Sequence, residues 1–224
     1  MDPLMVISPH LDDAVLSAGQ MMAGRPDCVV VTVFAGVPDP PQVTAYDRSC
    51  GFMSSTEAMI ARMLEDHQAL SRLGARAEHL GHLDSQYGPA SVNAIYEDLA
   101  DRWWRLGFPD VLAPLGLAHP DHAAVAIACH VLADDVREKG KAMFLYEELP
   151  ARVLWPELVA PAIDYWRANT KPWGWEPGFI GTGSKVTKAH AVRAYRSQMP
   201  NIGALGDGAG RTCLFVPERF WKPA

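Results

Sequence analysis

Strand-like and helix-like segments alternate along most of this chain, and that alternation leaves few folds open to it. Short apolar or β-branched runs at residues 4–8, 28–34, 78–83, 111–115 and 142–146 read as strands. Between them, apolar residues spaced three and four apart predict helices over 12–24, 55–73, 91–106 and 119–139, with a further one over 184–198. Their ends carry the usual signals: Ser55 or Thr56 and Ser91 or Asn93 as caps, Gly24, Gly74 and Gly140 as stops, and Pro26 just past the first. This order predicts an α/β fold, a single Rossmann-like domain over residues 1–224 with a mostly parallel sheet flanked by helices. One segment breaks the pattern. Residues 36–55, with Pro38, Pro40 and Pro41, form a connection as long as lids and binding loops are.

Two polar clusters sit where such a fold binds ligands. Pro9-His10-Leu11-Asp12-Asp13 follows the first strand and opens a helix, and His119-Pro120-Asp121-His122 does the same after the strand at 111–115. Both therefore fall at the carboxyl edge of the sheet. An N-cap would account for one aspartate at a helix start, but not for two beside a histidine. Pro120 suits a first helical position and Asp121 the positive end of the helix dipole, yet neither explains two histidines three apart. A tight turn would let His10 and Asp13 reach one metal while Asp12 points aside; of His119 and His122, one would bind metal and the other face substrate. Catalytic zinc sites use three such ligands, keep a position open for water and place a base nearby.

These residues resemble the LmbE-like or PIG-L superfamily of zinc-dependent N-acetylglucosaminyl deacetylases, whose hallmarks are a Pro-His-x-Asp-Asp segment after the first strand and a later His-Pro-Asp-His. Arg62 and Glu65, Leu73-Gly74, Asp84, and the run Lys188, Ala191, Tyr195, Ser197, Gln198 look like further family elements. The resemblance implies that His10, Asp13 and His122 bind Zn2+, with Fe2+ or another divalent metal as alternatives. It implies Asp12 as general base and His119 as the group that stabilises the tetrahedral intermediate or protonates the leaving amine. Asp121 would orient or tune that histidine, and Arg62 and Asp84 would contact sugar hydroxyls. Two departures stand out: Leu11 replaces the usual proline, and the family's Thr-x-Gly-Glu segment is replaced by 33–38, which leads into the Pro-rich connection.

The expected activity is metal-dependent hydrolysis of an N-acyl, chiefly N-acetyl, bond on an amino sugar or glycoside. A larger thiol-conjugate or natural-product amide is the alternative substrate. Two histidines and a carboxylate also describe a non-haem iron oxygenase site, and a non-catalytic carbohydrate-binding protein is a third reading; Asp12 beside the ligands favours water activation. Composition adds exclusions. A net charge of -6 with no Lys/Arg cluster speaks against nucleic acid as a partner. The apolar run at 28–37 is too short to cross a bilayer, and Asp2 stands where a signal peptide carries positive charge, so no membrane partner is expected. Cys28, Cys50, Cys129 and Cys213 form no CxxC pair, which points to free thiols in the cytoplasm. The partner is then a small molecule, with homo-oligomer formation left open. His67, His79, His82, His130 and His190 read as surface or core histidines, and the tryptophans at 155, 166, 173 and 175 as sugar-stacking or packing groups. The glycine-rich 206–210 lacks the strand-to-helix context of a dinucleotide loop.

Overall fold

The computed structural model describes residues 3–25, 27–178, 183–204 and 216–224; Asp2, Pro26, Cys213 and the 206–210 stretch lie outside them. In chain order the elements are β1 (Leu4–Ser8), α1 (Asp13–Met22), β2 (Cys28–Thr32), α2 (Ala45–Ser49), α3 (Ser55–Leu73), β3 (Arg76–His79), α4 (Val92–Arg105) and β4 (Asp110–Pro114). There follow α5 (Pro120–Glu138), β5 (Met143–Tyr146), α6 (Ala151–Leu154), α7 (Val159–Asn169), β6 (Trp175–Gly178), α8 (Lys185–Val192), α9 (Met199–Ala204) and β7 (Phe220–Pro223). Among the described residues the strands form one sheet in the order β3-β2-β1-β4-β5-β7-β6. The first five run parallel, and β7 lies antiparallel to both β5 and β6.

Alternation along β1 shows why both faces need cover. Met5 and Ile7 join a core with Ile95 of α4 and Val125, Cys129 and Leu132 of α5. Leu4 and Val6 point the other way, into a core with α1, Leu70 of α3 and Ala191 of α8. Residues buried on both faces are what a central parallel strand requires. The order reverses direction between β1 and β4, so the carboxyl ends of these two strands flank the switch point where open α/β sheets bind ligands.

Most helix boundaries match the sequence signals. Gly74 ends α3 in the left-handed region at φ 73°, and Ser91 caps α4 by accepting from the Ala94 N–H. The cap of α3 is Ser54 rather than Ser55 or Thr56. The strand expected at 78–83 is β3 (Arg76–His79) instead: beyond His79 regular pairing gives way to a Leu80 N–H bond to the Thr32 carbonyl and an isolated bridge from Gly81 to Phe34. The helix expected over 184–198 stops at Val192. There the Tyr195 hydroxyl donates to Asp66, the Ser197 N–H to Glu65 and the Gln198 amide to the Leu11 carbonyl, and these bonds hold the segment out of helical form. The 36–55 connection is not irregular throughout: a capping box between Thr44 and Asp47 starts α2 within it. No helix among the described residues is long and apolar enough to cross a membrane.

Candidate active site

The turn between β1 and α1 aims two side chains at one point. The Ser8 hydroxyl donates to the His10 carbonyl at 2.7 Å and accepts from the Ala14 N–H at 3.1 Å, which fixes the turn. The His10 N–H donates to Asp13 Oδ2 at 2.8 Å. After β4 the chain reaches α5 through Gly116 at φ 95° and Ala118 at φ 63°. A side chain at Gly116 would also meet the Ala126 Cβ at 2.7 Å, so only glycine fits there. His119 caps α5 with its own ring, Nδ1 accepting from the Asp121 N–H at 3.2 Å. That bond uses the Nδ1 lone pair, so a neutral His119 carries its proton on Nε2.

The two clusters meet. His10 Nδ1 lies 3.2 Å from Asp13 Oδ2, His122 Nε2 lies 3.1 Å from the same oxygen, and the two nitrogens are 3.3 Å apart. Ligand bonds of about 2.0–2.1 Å at tetrahedral angles place ligand atoms about 3.3–3.4 Å apart. The triangle is thus already of the size that a zinc-like cation demands. His119 is near the same centre, since a ring atom of each of His10, His119 and His122 falls within 4.8 Å of the others. Its tighter commitment to the cap and its exposure set it apart from the compact triangle.

Carboxylates back both imidazoles of the triangle. Asp121 Oδ2 lies 3.0 Å from His10 Nε2 and 3.8 Å from His119 Nδ1, so the ring it orients is His10 rather than the expected His119. Glu148 Oε1 lies 3.5 Å from His122 Nδ1. Asp12, Asp13, Asp121 and Glu148 are all buried. Buried carboxylates in such number are retained where cations or donors meet them, and this donor set fits a divalent cation.

Asp12 is not a corner of the triangle but stands beside it, on the cavity wall. It stands at the N-cap position of α1 yet makes no capping bond with its side chain, and it lines the cavity. Burial, then the Asp13 charge, raises its pKa to about 7. Burial opposes charge on His122, but Asp13 and Glu148 outweigh it and raise this imidazole to about 9. Burial, followed by the His10 and His122 charges, holds His119 below its ordinary value.

A cavity of about 610 Å³ opens over this centre, with Arg62, Asp84, Tyr46 and Trp155 on its walls. Arg62 and Asp84 thus reach the expected pocket, each with partners of its own. Arg62 is buried and ion-paired to Asp47 at 3.1 Å, and both Asp84 oxygens accept from Gln86. A second cavity of about 610 Å³, beside α7 and β7, contains none of the ligand candidates. The remaining histidines lie outside the site: His79 on Asp66, His82 on Asp98, His130 against Trp166, His67 tilted against His79, and His190 exposed. Trp166 and Trp175 are core residues and Trp173 packs against the same core, which leaves Trp155 of the four on the cavity wall.

Sequence reasoning missed Glu148, Asp47 and Tyr46. For Glu148 a signal existed, because Glu147-Glu148 directly follows a strand at the same sheet edge as the two histidine clusters. Asp47 carried none, since its pairing with Arg62 depends on how the 36–55 connection folds.

The family model described as PIG-L, GlcNAc-PI de-N-acetylase, matches residues 5–132. No curated protein matches the chain. Among solved structures, the A40926 pseudoaglycone deacetylase Dbv21 is similar at 27% identity and TM-score 0.74, over 99% of this chain and 96% of its own. A deacetylase of the teicoplanin biosynthesis pathway, in complex with teicoplanin, is similar at 25% identity and TM-score 0.74, over 99% and 97%. The N,N'-diacetylchitobiose deacetylase from Pyrococcus horikoshii shares the fold, at 20% identity and TM-score 0.59 over 94% and 76%.

Proposed function

Because this chain belongs to the PIG-L family of GlcNAc-PI de-N-acetylases, we propose that it is a zinc-dependent hydrolase removing an N-acyl group, chiefly acetyl, from an amino sugar or glycoside. The observation that carries the reading is the compact triangle of His10, Asp13 and His122 with the Asp12 carboxyl beside it. Similarity to deacetylases of glycopeptide biosynthesis supports a glycoside as substrate. We read residues 1–224 as one domain and the free Cys28, Cys50 and Cys129 as support for a reducing, cytoplasmic setting.

His10, Asp13 and His122 would hold the cation, which when bound polarises an amide carbonyl and acidifies water. Asp12 takes a proton from the attacking water onto its carboxylate. His119 offers its Nε2–H to the carbonyl oxygen as that oxygen gains negative charge. Its depressed pKa favours this neutral donor role over proton delivery. The proton gained by Asp12 is then the one passed to the departing nitrogen. Asp121 keeps His10 turned with Nδ1 inward. Arg62 and Asp84 stand on the cavity wall where sugar hydroxyls would lie.

A panel of N-acylated amino sugars and glycosides, assayed for new primary amine before metal removal, after it and after zinc reloading, tests the reading. Amine release that follows the metal is expected. Oxygen uptake without amine would replace it with the iron oxygenase, and binding without turnover with a carbohydrate-binding protein.

A further inference from the structure

We propose that Glu148 is a positioning residue for the metal centre, holding the His122 ring with Nε2 toward Asp13 and His10 while anchoring the turn that carries His119. This rests on the ligand set assigned above. Glu148 lies two residues past the end of β5 and is fully buried. Its Oε1 accepts from the Gly116 N–H at 2.6 Å and the Leu117 N–H at 2.9 Å, the start of the turn leading to His119. The same oxygen lies 3.5 Å from His122 Nδ1. Neither that nitrogen nor Glu148 Oε2 has a hydrogen-bond partner among the described residues, although both are buried.

A buried ring nitrogen 3.5 Å from a buried carboxylate closes into a hydrogen bond when a small ring movement permits it, and contacts in such sites commonly tighten when the site is filled. A proton held on Nδ1 leaves the Nε2 lone pair free for a cation. Asp121 has the same relation to His10, at 3.0 Å from the nitrogen that faces away from the triangle. Each imidazole of the centre is therefore backed by its own carboxylate, the arrangement that fixes tautomer and ring direction at metal sites.

Glu148→Gln separates these roles, since the amide oxygen can still accept from Gly116 and Leu117. Zinc affinity at one fixed pH, by competition with a chromogenic chelator, should fall about 10–100-fold in Glu148→Gln. Glu147→Gln, at the neighbouring buried residue that accepts from Trp221, should bind zinc as wild type does. A folded Glu148→Gln with wild-type zinc affinity would overturn the proposal. If that variant does not fold, nitrogen-15 spectra of histidine-labelled, zinc-loaded wild type decide: His122 should be protonated at Nδ1 and ligated through Nε2, and the reverse would overturn the assignment. Failure of the wild type to bind zinc at all would instead strike the ligand set itself, and this proposal with it.

Discussion

Arg62 and Asp47 face each other at 3.1 Å with both side chains buried, and their pairing ties α3 to the short helix inside the 36–55 connection. Asp47 also accepts from the Tyr87 hydroxyl at 2.8 and 2.9 Å. The Arg62 guanidinium lies under the Tyr46 ring, 5.1 Å from its centroid, and so supports the cavity wall from behind.

Arg62→Ala leaves the buried Asp47 carboxylate with neutral donors in place of its cation, the Tyr87 hydroxyl and the Thr44 N–H. Removing one partner of a buried pair costs about 3–5 kcal/mol, so urea unfolding should show a large loss of stability together with a raised KM. A loss below about 1 kcal/mol would show the pair to be solvent-screened.

The adjacent aspartates should fail in different ways. Asp13→Ala removes the corner shared by both short triangle edges and should lose most of the metal. Asp12→Asn should keep metal and melt near wild type, because Asp12 makes no capping bond. Its turnover should drop about 10²–10⁴-fold, the usual cost of losing a general base. Normal amine release from metal-loaded Asp12→Asn would remove Asp12 from the mechanism.

His130 predicts a specific acid sensitivity. Burial lowers its pKa from 6.5 to about 4, and its ring nitrogens have no hydrogen-bond partner among the described residues. The unfolded chain therefore binds the extra proton between these values, and stability falls as pH drops from about 6.5 toward about 4. The loss reaches about 3 kcal/mol at 1.36 kcal/mol per pKa unit. The difference in unfolding free energy between wild type and His130→Phe should carry this slope, and parallel curves would contradict it.

Tyr46 and Trp155 are the half-open aromatic walls of the cavity, 39% and 42% exposed. Replacing either with alanine should raise KM for glycosides with little change in kcat or metal content. A selective loss of kcat would assign the ring to the reacting centre instead.

The site was legible in the sequence because its residues lie in two short runs at strand ends, where local spacing and sheet topology coincide. His10, Asp13 and His122 come together at the sheet edge where both runs lie. The sheet's parallel half was legible for the same reason, since β-branched runs and helix caps are local signals. What escaped depended on distant partners. Tyr195, Ser197 and Gln198 break the expected C-terminal helix through bonds to Asp66, Glu65 and Leu11, more than a hundred positions away. The resemblance pairs Asp121 with its sequence neighbour His119, whereas the fold delivers His10 to it from 111 positions away.

The strand order has a thermodynamic side. His10 lies in the turn after β1, Asp13 at the start of α1 and His122 in the first turn of α5, so the triangle's two nitrogens are 112 positions apart in the chain and 3.3 Å apart in space. An unfolded chain offers no such corner. A cation gripped there is therefore a reversible crosslink across the middle of the sheet, and its binding energy is added to folding itself. At a free concentration about 100 times its Kd this amounts to about 2.7 kcal/mol. A chelator then acts on this chain as a mild denaturant, and the melting temperature becomes a titration curve for the metal.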